Sequence, residues 1–221
     1  VDMKIRFYTI IISLLLCFSK TNADSNLNVV VSIKPFHSLV AGVMFGVARP
    51  ELLLKDNLSP HSYSLKPTDA ERLQNADIFF WGGENLEVFL AKPLKSLSKK
   101  GKVFSMFDIN GLKLKSFRYE SHLGKSEKSE SHITNLSKVV ESVKQSKVDP
   151  HIWLDPENAK VITERIVEIL IEYDQKNTQK YQRNGENVSK RLNELDKHLS
   201  SELREISDRK YLVLHDAYQY F

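Results

Sequence analysis

The sequence predicts an α/β fold, a parallel sheet with helices on both faces. Three observations lead there. Short β-branched or aromatic runs alternate with segments of helical period, and Gly and Pro mark the junctions. The second half of the chain, from Glu157, reads as helix for about 50 residues.

The first strand is expected at 29–33, a β-branched run suited to burial on both faces. Lys34-Pro35 ends it, and 36–45 has apolar residues at helical spacing. A second strand at 51–54 leads to the loop Ser59-Pro60-His61. Thr68 with Glu71 three residues on fits a capping box, which would start a helix running to about Asn75. Strands at 77–81 and 103–106 flank a helix at 86–97, with Gly82-Gly83 breaking the chain between. Residues 116–147 are rich in Ser, Lys and Glu and lack a sustained apolar period, so they read as a mobile charged insertion. A helix is expected at 157–173. The apolar spacing of Val188, Leu192, Leu195, Leu199 and Leu203 then predicts a long helix over 175–207, with Gly185 as its weak point. At 1.5 Å per residue such a helix would run roughly 50 Å, too long for the core of one small lobe, so it is expected to link two lobes. Residues 211–214 read as a new strand, the beginning of a second lobe at 209–221.

The N-terminal residues read as a secretory signal over 1–23. Lys4 and Arg6 form a charged start, 10–18 an apolar core too short to span a bilayer, and Thr21-Asn22-Ala23 a cleavage site. Its removal leaves 29 basic and 27 acidic residues. The pI near 9.0 therefore gives no ground for a nucleic-acid or anionic-membrane partner. Cys17, the only cysteine, lies within the signal, so a metal site in the mature chain must use His, Asp or Glu.

The candidate chemistry centres on Asp149-Pro150-His151-Ile152-Trp153-Leu154-Asp155-Pro156, where two Asp-Pro pairs predict an extended, stiff backbone presenting His151 just before a helix. His61 and His215 sit in comparable settings, each after an extended segment, where open α/β folds bind ligands. Three neutral imidazoles suit zinc. Separations of 90 and 64 residues carry no local signature, however, and a single loop histidine is as readily a surface group. Asp155 and Asp216 are candidate acceptors behind the histidines; alternatively Asp155 caps the next helix and Asp216 is solvated. His37 and His198 are assigned structural places, Trp81 and Trp153 packing, and the lysines of 95–102 a solvated helix end.

The segments Ser32-Ile33-Lys34-Pro35, Pro60-His61-Ser62-Tyr63-Ser64-Leu65-Lys66-Pro67-Thr68-Asp69, Leu73-Gln74-Asn75-Ala76-Asp77, the His151 octapeptide and His215-Asp216-Ala217-Tyr218-Gln219-Tyr220-Phe221 carry a resemblance. Together they resemble the periplasmic zinc-binding proteins of bacterial ABC importers, the metal-specific solute-binding family. The resemblance implies two α/β lobes joined by a long helix, with 24–155 as the first lobe, 156–208 the helical region and the second lobe only begun. It implies His61, His151 and His215 as zinc ligands, with a fourth, acidic residue or water belonging to the second lobe. It further implies capture of Zn2+ in the periplasm by a monomer and delivery to a membrane permease with its ATPase, without catalysis. Manganese-carrying relatives have Glu where His215 stands. Zinc-carrying ones often have a His-rich loop where 116–147 lies, and this chain has His122 and His132 there. The alternatives are a manganese- or iron-binding member of that family, or a secreted zinc hydrolase. The second has neither a His-Glu-x-x-His helix nor a base at fixed spacing from a histidine.

Overall fold

The computed structural model describes residues 27–55, 58–96, 101–117 and 148–221. The signal segment, Cys17, His122 and His132 lie outside the described residues.

Four parallel strands, β1 (Val29–Val31), β2 (Glu51–Leu52), β3 (Ile78–Trp81) and β4 (Lys102–Ser105), lie in the order β2-β1-β3-β4. The β-branched run sits where it should: β1 is central, paired with β2 (Val30 opposite Glu51) and β3 (Val30 opposite Phe79), and all three valines are buried. Its ladder continues past the strand, since Ser32 N–H donates to Phe80 O and Leu54 N–H to Ser32 O, both at 2.9 Å. Ile33, expected in the strand, is instead the extended N-cap of helix α1 (Lys34–Val43). Pro35 in the first turn fits the helix there because its missing N–H is not needed.

Helix α2 (Pro67–Asn75) begins two residues earlier than its Thr68-Glu71 pattern predicts. Asp69, not Glu71, reaches back, accepting the Lys66 N–H at 3.0 Å; Pro67 takes the first helical position and shifts the cap by two residues. Helix α3 (Val88–Ser96) follows β3. The chain steps from β1 to β2, then back across β1 to β3. Right-handed crossovers therefore put α1 on one face of the sheet and α2 and α3 on the other.

Helix α4 (Pro156–Tyr173) is started by Asp155, whose carboxylate accepts the Glu157 N–H at 2.8 Å, with Pro156 at the first position. Its inner face carries Ile162, Ile166, Ile169 and Leu170, all buried, at steps of four, three and one. Burial of a side chain of this size stabilises by about 1.5–3 kcal/mol. Asp174 ends the helix, and its carboxylate accepts from Asn177 Nδ2 and Tyr181 Oη, both at 2.8 Å, fixing the turn into α5 (Thr178–Glu202). Helices α1, α4 and α5 pack together on one face. Asn184 on α5 donates to the carbonyls of Val43 and Phe45 at 2.9 and 2.8 Å, satisfying the end of α1.

Three expectations are corrected. The long helix spans Thr178–Glu202, about 37 Å, because a 3-10 turn at Gln175–Asn177 interrupts it from the N-terminal side. Gly185 is not a weak point. A Cβ there would lie 2.5 Å from Val167 Cγ2, so the glycine allows α4 and α5 to approach closely. Residues 211–214 form no strand: Leu212 and Leu214 are fully exposed, and among the described residues no partner strand lies beside them to complete a ladder.

Candidate metal centre

His61 lies in the loop between β2 and α2, where its N–H donates to Ser59 Oγ at 3.3 Å. Two residues on, Tyr63 pins that loop. Its hydroxyl donates to Asp69 Oδ2 at 2.7 Å and its ring meets Phe89 edge-on at 5.2 Å. The hydrogen bond to the buried carboxylate is the main reason the Tyr63 phenol is pushed up to about 12. Asp69 also caps α2 and lies 3.5 Å from Arg72, which pairs with Glu51 at 3.0 Å. The carrier of His61 is thus tied to both a helix start and a strand.

His151 is held differently. The expected extended backbone gives way to a 3-10 turn, Ile152–Leu154, between the two Asp-Pro pairs. His151 is 5% exposed and Asp149 1%. Asp149 Oδ1 accepts the His151 N–H at 3.0 Å and pairs with ring Nδ1 at 2.7 Å. A carboxylate beside Nδ1 fixes the proton there and leaves the Nε2 lone pair outward. Trp153 meets the imidazole edge-on at 5.3 Å and Phe36 at 5.5 Å, so the ring is braced by packing as well. Both tryptophans lie against the hydrophobic core, as expected for packing residues.

Asp149 is the residue that sequence reasoning missed. Asp155, one of the candidate acceptors, is the cap of α4, and Asp216 is half-buried beside His215. The signal was present in Asp149-Pro150-His151, because an aspartate readily accepts the backbone N–H two residues on. The Nε2 of His37 lies 3.0 Å from Pro50 O, the structural place expected for it.

The three predicted histidines come together. Ring centroids lie 5.5 Å apart for His61–His151, 5.3 Å for His61–His215 and 5.0 Å for His151–His215. One ring nitrogen from each lies within 4.8 Å of the others. A tetrahedral ion with Zn–N bonds near 2.0–2.1 Å separates its ligand atoms by about 3.3 Å, so a modest inward movement would close the set. His61 is the less basic for its position. Burial lowers its pKa first, and the neighbouring His151 and His215 lower it further. His61 and His215 are exposed, His151 is not. Only His61 sits on a strand-to-helix loop. His151 follows the antiparallel bridge Ser116–Val148, and His215 follows an irregular segment.

Comparison with known proteins identifies the family and the fold. The model of the family described as "Zinc-uptake complex component A periplasmic" matches residues 29–221. The high-affinity zinc uptake system protein ZnuA of Brucella abortus is 36% identical over 210 residues, covering 87% of this chain and 63% of that protein. ZnuA of Yersinia pestis is 31% identical over 196 residues, with 87% and 61% covered. The chain thus spans somewhat less than two thirds of the length of these relatives. Among solved structures, a crystal structure of ZnuA superposes with a TM-score of 0.70 at 22% identity, covering 89% of this chain and 66% of that one. Zn(II)-bound AdcA from Streptococcus pneumoniae gives 0.68 at 23%, with 89% and 37% covered. At such identities these structures speak to the fold, and the fold is the expected α/β lobe with flanking helices. The family model reaches from β1 to the His215 segment and Phe221, and the chain belongs to the zinc-uptake complex component A family of periplasmic proteins.

Proposed function

We propose that this chain binds Zn2+ as cargo through His61, His151 and His215, in the periplasm, and passes it to the membrane permease of an ABC importer. The observation that supports this reading is the convergence of three imidazole nitrogens within 4.8 Å. Nitrogen-rich ligation favours zinc over manganese, which prefers more oxygen donors. The chain acts as a binding module. The three histidines form the cluster, and the nearby Asp149 is committed to His151. Zinc relatives of this chain carry uptake names, which suits capture and delivery.

Capture suits this construction. His151 is presented with its tautomer set, while the exposed His61 and His215 leave the ion a way in from solvent. Zinc affinity measured by competition with a chromogenic chelator should fall more than about 100-fold in His151→Ala, beyond the 10- to 100-fold typical of outer partners. Retention of wild-type affinity would remove the assignment, and tighter binding of Mn2+ than of Zn2+ would shift it to another metal.

A further inference from the structure

We infer that Gln219 and Tyr220 are positioning residues for the metal centre, clasping Asp149 by its carboxylate and its carbonyl so that the loop of His151 and the segment of His215 are set by one residue. This rests on the zinc-binding reading above. Its structural core does not, because the clasp can be probed without metal.

The contacts form one network. Asp149 Oδ1 is taken by His151, through both its backbone N–H and its ring. Asp149 Oδ2 accepts from Gln219 Nε2 at 3.2 Å, and the Asp149 carbonyl accepts from the Tyr220 hydroxyl at 2.9 Å. Tyr220 is itself 5% exposed, and its hydroxyl also accepts the Lys115 N–H at 2.8 Å. Gln219 Nε2 donates to Ser116 O at 2.9 Å, and Lys115 Nζ reaches Gln219 O at 2.6 Å while its ammonium stands 5.4 Å from the centre of the Tyr220 ring. Residues 115–116 and 148–149 are joined by the Ser116–Val148 bridge and by Asp149 N–H to Lys115 O at 2.9 Å. The Tyr220 hydroxyl is inserted between the two backbones at the point where that short ladder ends.

The consequence for the site follows from geometry. Gln219 is four residues after His215, so fastening it to Asp149 fixes the base of the His215 segment against the base of the His151 loop. It also fixes the carboxylate rotamer. Among the described residues Gln219 is the side chain donating to Oδ2, and without it the carboxylate is held through Oδ1 alone, so its plane is less closely set against Nδ1. The imidazole would then lose part of its tautomer preference, and Nε2 would be a ligand atom only part of the time.

The test uses the full chain with Gln219→Met, which keeps the volume and removes the donors, and Tyr220→Phe, which removes one hydroxyl. Two readouts are taken. In metal-free protein at pH 8, imidazole 15N shifts should report a single Nδ1–H tautomer for His151 in the parent and a greater share of the other tautomer in Gln219→Met. Tyr220→Phe, which leaves the carboxylate's donors in place, should keep the parent's tautomer. Zinc affinity by chelator competition should fall about 10-fold in each, mostly through faster release, with thermal unfolding midpoints close to the parent. An unchanged tautomer in Gln219→Met, together with affinity within twofold of the parent, would overturn the proposal. So would a loss of affinity that merely tracks a loss of thermal stability. If the parent binds no zinc, or His61→Ala and His215→Ala bind as the parent does, the function proposed above fails instead, and the tautomer readout still decides the clasp.

Discussion

Two regions of this molecule each bury a carboxyl group, and they treat it in opposite ways. At the His151 loop, Asp149 is surrounded by donors: the His151 N–H, the His151 ring and Gln219. At the carboxyl ends of β1 and β3, Glu87 is fully buried with Gly82 N–H on one oxygen, at 2.5 Å, while its other oxygen has no hydrogen-bond partner. Burial pushes the Glu87 carboxyl up to about 7, against the pull of the Gly82 amide. The first region spends its polar groups on holding a ligand in place. The second is the crevice where β1 and β3 send their connections to opposite faces, the usual ligand position in open α/β sheets. Here the chain's own Glu87 is buried beside Gly82, and the histidine centre draws on the loop after β2 and on two irregular segments. Position in the fold, then, does not by itself identify a binding site; the donors around each group do.

The contrast can be broken most sharply at Glu87. Its folded-state pKa, about 7, lies above the ordinary carboxyl value of 4.5, so the folded protein holds that proton to higher pH than the unfolded chain. Stability from this group is intact below about 4.5 and is lost as pH rises toward 7, a penalty on the order of 3 kcal/mol. Glu87→Gln should therefore stabilise the fold at pH 8 by up to about 3 kcal/mol and do little at pH 4.5. Urea midpoints at the two values will show this, and equal effects at both would mean that Glu87 is not ionising in place.

Asp149 should respond with the opposite sign. Asp149→Asn puts an amide against the amide of Gln219 and weakens the acceptor for His151, costing about 1–3 kcal/mol at pH 8 where Glu87→Gln gains. Stabilisation by both substitutions would erase the distinction between a satisfied and an unsatisfied buried carboxyl. The smallest effect is expected at His61. Its pKa is lowered, so the folded state resists protonation there and loses a little stability as pH falls through the ordinary histidine range. In the metal-free protein, NMR titration should find His61 taking its proton at lower pH than a free histidine; a midpoint at or above the free value would count against mutual repulsion within the cluster.

Much of this lobe was legible along the chain because its signals are local. The Val29–Val31 run marked a strand buried on both faces, and the Asp-Pro pair at 155–156 came just before a helix expected at 157–173. The failures also have local causes. The Thr68-Glu71 pattern was outcompeted by Pro67, and the apolar 211–214 looked like a strand because composition records propensity but not the presence of a partner ladder. Gly185 seemed a helix weakness because a glycine's neighbour across an interface, Val167, does not show in its own segment.

By itself, the sequence determined the alternation of the first four strands with their helices and the residue types available to hold a cation. Only the tertiary structure decided that His61, His151 and His215 meet, that Asp149 rather than Asp155 or Asp216 holds the imidazole, and that Gln219 and Tyr220 fasten the arrangement. The reason is physical. Periodicity and capping act over a few residues and leave a trace in spacing, whereas contacts across 64 or 90 residues depend on how the sheet and its helices pack, which no short stretch of chain records.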